Sequence, residues 1–80
     1  MKKHNGMRPQ DIVVLLKIIS INNDDWRNID IANAIGISPS EVSEALNRCK
    51  IARLIDSKKR KVNINSFEEF LVYGLKYVFP

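Results

Sequence analysis

"DIANAIGISPSEVSEALNR", residues 30–48, decides how this chain folds. Ile31, Ala32 and Ile35 recur at helical spacing and form one apolar stripe. Gly36 ends that helix, because helices commonly stop at a residue able to enter the left-handed region. Ser38-Pro39-Ser40-Glu41 then opens a second helix as a capping box. In such a box the Ser38 hydroxyl accepts from the Glu41 amide, and the Glu41 carboxylate reaches back to the amide of Ser38. Pro39 falls at the first helical position, where a missing N–H costs nothing. Two helices joined by Gly36-Ile37 must turn sharply, which predicts a helix-turn-helix.

Working outward, the helix expected over about 39–50 buries Val42, Ala45, Leu46 and Cys49. Its opposite side carries Ser40, Ser43, Glu44, Asn47 and Arg48, with Lys50 at the end. Upstream, the helix before the turn is expected at about 29–35. It follows a polar turn at 22–25 and a short extended piece at 26–28. The stretch "DIVVLLKIISI" (11–21) is apolar almost all round and rich in β-branched residues. A buried strand competes there, but length favours a helix, with Ile12, Leu15, Leu16 and Ile19 as its expected buried face. Downstream, Leu54-Ile55 and Val62–Ile64 are strand candidates around a basic tip at 57–61. A second capping box, Ser66-Phe67-Glu68-Glu69, is expected to open a C-terminal helix over 66–79. Residues 1–7 read as a flexible arm, and 8–80 as one domain.

Eighty residues and an ordinary apolar content suit one small globular core. The net charge of +4 is unevenly placed. Residues 48–61 hold seven cations, Arg48, Lys50, Arg53, Lys58, Lys59, Arg60 and Lys61, against one acid, Asp56. The remainder of the chain is mildly acidic, so the basicity is a patch, and such patches attract polyanions. Cys49 is the only cysteine, which excludes an internal disulfide and a thiolate zinc site. No run is long enough to span a membrane and no secretory signal is present, so the expected setting is cytoplasmic. There is no phosphate-binding Gly-rich loop, HExxH or paired-cysteine motif. His4 stands alone, and Asp24-Asp25 and Glu68-Glu69 are explained by loop and helix-start roles. No catalytic residue, metal or cofactor is expected.

These residues resemble the winged helix-turn-helix domains of bacterial transcription regulators, most nearly the MarR-like and IclR-like groups. Ala32 and Gly36 meet the pattern's small residue and the glycine four positions later. Ile31, Ile35, Ile37, Val42 and Ala45 supply its apolar positions, and "SPSEVSEALNRCKIARLID" (38–56) is similar to the run from recognition helix into wing. The resemblance covers about residues 8–66. It implies a mainly α fold with a small β-hairpin: a three-helix core, a wing and a C-terminal helix. Two departures stand out. Glu41 and Glu44 put negative charge early on the recognition helix, and Ala52-Arg53-Leu54-Ile55 lacks the usual glycine at the helix exit.

The expected function is sequence-specific binding of double-stranded DNA in transcription regulation. A helix fits the major groove, where Asn47 can pair with adenine and Ser40, Ser43 and Glu44 offer short donors and acceptors. Ser38 or Ser40 at the capped end can hold a phosphate. Arg48, Lys50, Lys58, Lys59, Arg60 and Lys61 supply phosphate neutralisation, with Arg60 best suited to the minor groove. The alternative is a winged-helix protein–protein interaction module without DNA readout. The C-terminal helix has Phe67, Phe70, Leu71, Leu75 and Val78 on one side, with Val72, Tyr73, Tyr77 and Phe79 on the others. That excess predicts a homodimer through this helix, or contact with a missing C-terminal domain.

Overall fold

The computed structural model describes residues 7–21, 23 and 25–78, with side chains as far as Gly74. The expected arm at 1–7 lies outside these residues except for Met7, which packs partly buried against the core. The described chain is mainly helical: α1 (Pro9–Ile21), α2 (Asn28–Ile35), α3 (Pro39–Ile51) and α4 (Ile64–Val78). α1, α2 and α3 pack on one another in pairs. Between them lies a core of Val14, Leu15, Ile18, Trp26, Ile31, Ala32, Val42, Ala45, Leu46 and Cys49, extended by Leu54, Ile55 and Phe67. Among the described residues no helix is long and apolar enough to cross a membrane.

The turn between α2 and α3 follows from its own residues. Gly36 sits at φ 77°, ψ 34°, in the left-handed region that glycine enters without steric penalty. The amides of Gly36 and Ile37 both turn back to the Ala32 carbonyl, at 2.9 and 3.1 Å. Ser38 then caps α3 as a reciprocal box: its hydroxyl accepts from the Glu41 amide at 3.1 Å, and Glu41 accepts from the Ser38 amide at 3.0 Å. A cap of this kind contributes roughly 1 kcal/mol. α2 has no hydroxyl cap. The Asp30 carboxylate instead accepts from the Arg27 amide at 2.8 Å.

α1 is rotated from the expected face. It buries Asp11, Val14, Leu15 and Ile18, whereas Leu16 and Ile19 are 50% and 36% exposed and Ile12 is only partly buried. A helix apolar on every side offers periodicity no preferred face, so a tertiary contact selects one. The face that is buried carries the Asp11 carboxylate, wholly buried and joined to Arg48 of α3.

Two expectations fail after α3. The β-hairpin is reduced to one isolated antiparallel bridge, Ile55 to Val62, with no strand ladder among the described residues. Both arms end early. Arg53 turns into the left-handed region at φ 63°, and Asn63 leaves the other arm to cap α4. Ile64, expected in a strand, is therefore the first residue of α4. The capping box at Ser66 is displaced for the same reason. Ser66 lies inside the helix and gives its amide to the Asn63 side chain at 3.2 Å. α4 anchors through Phe67, with Phe70 and Leu71 partly buried, while Val72 and Tyr73 stand 52% and 65% exposed. The side chains of Leu75, Tyr77 and Val78, and all of Phe79, lie outside the described residues.

Candidate nucleic-acid interface

The solvent face of α3 is built by the residues that form its core face. With Val42, Ala45, Leu46 and Cys49 buried, Ser40, Ser43, Glu44 and Asn47 emerge together on the opposite side, all exposed. Their spacing of three, one and three puts them on one row of the helix. Ser38 is exposed at the helix start and Lys50 at its end. The Glu41 carboxyl is held below its ordinary range by the backbone amide of Ser38 first, and by that residue's hydroxyl second. Its charge is spent on capping. Glu44 lies one turn before Arg48, and its charge helps raise that guanidinium above its usual range.

Arg48 is turned inward. Nε donates to Asp11 Oδ2 and Nη2 to Oδ1, each at 2.8 Å, and the Arg8 amide adds a third bond to Oδ2 at 2.9 Å. Hydrogen bonding to Asp11 is the main reason its guanidinium is raised. The fork expected on a phosphate is paired with α1 in the structure, and bidentate geometry with a buried carboxylate is the strong form of the interaction. Cys49 beside it is buried, and burial pushes its thiol up to about 12, with the Asp11 charge adding to the effect. A thiol held in that form is a poor nucleophile.

The basic tip is organised by its one acid. The Asp56 amide donates to the Lys61 carbonyl and its carbonyl accepts from Lys59, both at 2.9 Å. Its carboxylate Oδ1 accepts the amides of Arg60 and Lys61, at 2.7 and 3.1 Å. Burial pushes that carboxyl up. The two amide bonds, with the charges of Lys58 and Lys61, outweigh this and leave it below its ordinary range. Lys59 takes a left-handed conformation at φ 60° to close the turn. Lys58 and Lys61 are exposed, and Lys59 is half-buried.

Arg60 departs from its neighbours. Its guanidinium lies 4.0 Å from the centroid of the Trp26 ring, and Nη2 donates to the Trp26 carbonyl. Cation–π contacts of this type contribute about 0.5–2 kcal/mol, more as they are desolvated. Trp26 is 2% exposed, and among the described residues its Nε1 is buried with no hydrogen-bond partner. In the structure the side chain expected at the minor groove is engaged with Trp26.

Asp11 and Trp26, outside the candidate site residues, hold two of the eleven, Arg48 and Arg60. A signal for Asp11 was present: it stands three, four and seven positions before Val14, Leu15 and Ile18, on one helical face. Trp26 carried no comparable signal, because its contact comes from thirty-four residues away. No protein-family model, curated protein or solved structure matches this chain.

Proposed function

We propose that this domain binds double-stranded DNA as a winged helix-turn-helix, with α3 in the major groove and the 56–61 tip as its wing. The observation that carries the reading is the face of α3. Ser40, Ser43, Glu44 and Asn47 are all exposed, none is needed for packing, and the helix begins at a capped N-terminus. Short donors and acceptors on one row are what reading base edges requires. Lys50, Lys58, Lys59 and Lys61 supply the phosphate contacts. The short bridge between Ile55 and Val62 supports a compact wing. Transcription regulation in the cytoplasm, as a homodimer through α4 or through a further C-terminal domain, completes the reading.

One observation favours the protein-interaction alternative. With Arg48 and Arg60 folded inward, the cationic surface is smaller than the sequence count. Titration of selected and random duplexes across a salt series separates the two. DNA binding predicts that Asn47→Ala leaves the melting temperature unmoved and lowers specific affinity by about 1–3 kcal/mol, with random-sequence affinity unchanged. Absence of salt-dependent binding to any duplex hands the case to a protein partner.

A further inference from the structure

Arg60 belongs to the basic run Lys58-Lys59-Arg60-Lys61, yet it alone among them is shown crossing to the buried Trp26. We propose that Arg60 is a positioning residue. It clamps the basic tip onto the segment joining α1 to α2, and acts on DNA only through the placement of its lysine neighbours.

Three observations converge on this clamp. The guanidinium is held at two points, over the Trp26 ring and on the Trp26 carbonyl, which fixes its direction as well as its distance. The backbone of the same residue is fixed by Asp56, whose carboxylate accepts the Arg60 amide at 2.7 Å. Trp26 is itself a core residue, so the tip is referenced to the packed helices and not to solvent. Leu54, Ile55 and Val62 seat the base of the turn against the core, and the Arg60 contact adds an attachment nearer its tip. Lysine cannot reproduce the planar fork that spans ring and carbonyl.

The test has two arms, and only the second rests on the DNA-binding reading. In the free protein, Trp26 is the one tryptophan, so its emission reports on the clamp directly. Arg60→Ala is expected to shift that emission to longer wavelength and to speed amide exchange at Ser57–Lys61. Unchanged emission and exchange overturn the clamp. On random-sequence duplex, Lys58→Ala is expected to reduce the slope of log affinity against log salt by about 0.9, the worth of one phosphate contact. Arg60→Ala is expected to give a line parallel to wild type but displaced to weaker binding. A slope reduced as far as by Lys58→Ala makes Arg60 a phosphate ligand and overturns the proposal. Arg60→Lys guards against loss of folding: it keeps the charge, and it is expected to shift emission and weaken binding in the same sense. Wild-type behaviour of Arg60→Lys in both arms overturns the two-point clamp. Should wild type bind no duplex, the proposed function fails, and the free-protein arm alone decides the clamp.

Discussion

α3 and α1 are both thirteen residues long and pack against each other, but their solvent faces differ in kind. α3 buries one apolar row and shows a polar one. α1 buries Asp11, Val14, Leu15 and Ile18 and still shows Val13, Leu16 and Ile19, at 46%, 50% and 36% exposure. A helix like α3 fixes its own rotation, because turning it would bury serine and glutamate. A helix like α1 has no such preference among its apolar faces, so its rotation is decided from outside. The ion pair of Asp11 with Arg48 ties the buried face of α1 to α3.

The largest expected effect comes from cutting that tie. Arg48→Ala leaves the buried Asp11 carboxylate with the Arg8 amide but without its charged partner, and removing one side of a buried pair costs about 3–5 kcal/mol. Domains of this size have about 4–12 kcal/mol in total, so the urea midpoint should fall steeply. The double replacement Asp11→Leu with Arg48→Met should recover much of the loss, since an apolar pair of similar volume carries no desolvation cost. If Arg48→Ala instead keeps wild-type stability and loses only DNA affinity, the pair does not hold that face of α1 against α3.

The next contrast lies within α1. Leu15→Ala should destabilise by about 2–5 kcal/mol, since it empties a fully buried site. Leu16→Ala, at the half-exposed neighbour, should cost under about 1 kcal/mol. Chemical denaturation of both at two protein concentrations decides the matter. Equal losses would mean that the outer row of α1 is covered by something outside its own domain. A Leu16 cost that grows with concentration would make that cover a second copy.

How far residues disclose structure follows the same division. The α2–α3 turn was readable because every local rule agreed: Gly36 for the left-handed turn, Ser38 and Glu41 for the cap, Pro39 at the first position. The buried row of α3 was readable because its polar row was unmistakable. The face of α1 was not, for want of any polar residue opposite it except Lys17 and Ser20. The start of α4 differs from the expected Ser66 because Asn63 and Ser66 are both good caps three residues apart, and the chain's exit from the bridge selects Asn63. Of the candidate contacts, the α3 residues stand exposed as their spacing implied. The two arginines do not, because their partners lie thirty-seven and thirty-four residues away.

A smaller effect separates the two helix exits. α2 ends on Gly36 at φ 77°, and α3 is followed by Arg53 at φ 63°, with the Leu54 amide returning to the Cys49 carbonyl at 2.9 Å. The left-handed conformation costs a residue with a Cβ about 1–2 kcal/mol, part of which glycine loses again through its freer unfolded chain. Arg53→Gly should therefore raise stability by up to about 1 kcal/mol, and Gly36→Ala should lower it by a similar amount. Thermal melts of the two variants should move in opposite directions. A fall for Arg53→Gly would mean that the arginine side chain contributes more than its backbone strain costs.

The smallest effect concerns acid, at the start of α3. Glu41 is fully exposed, yet its carboxyl is held below the ordinary range, first by the Ser38 amide and then by the Ser38 hydroxyl. A carboxylate whose folded value is depressed stabilises the folded state above its unfolded value. That contribution is lost as the pH falls through the lowered folded value. The window therefore opens near the ordinary glutamate value of about 4.3 and extends below it. Glu41→Gln keeps an oxygen able to accept from the Ser38 amide but removes the titration. Its melting temperature should lie slightly below wild type at neutral pH, and the two curves should converge as the solution is acidified. Asp56, depressed in the same sense, stays intact in both proteins and continues to titrate, so the acid limb should flatten without disappearing. Curves that stay parallel down to about pH 3 would show that the Glu41 charge adds nothing to the cap beyond its hydrogen bond.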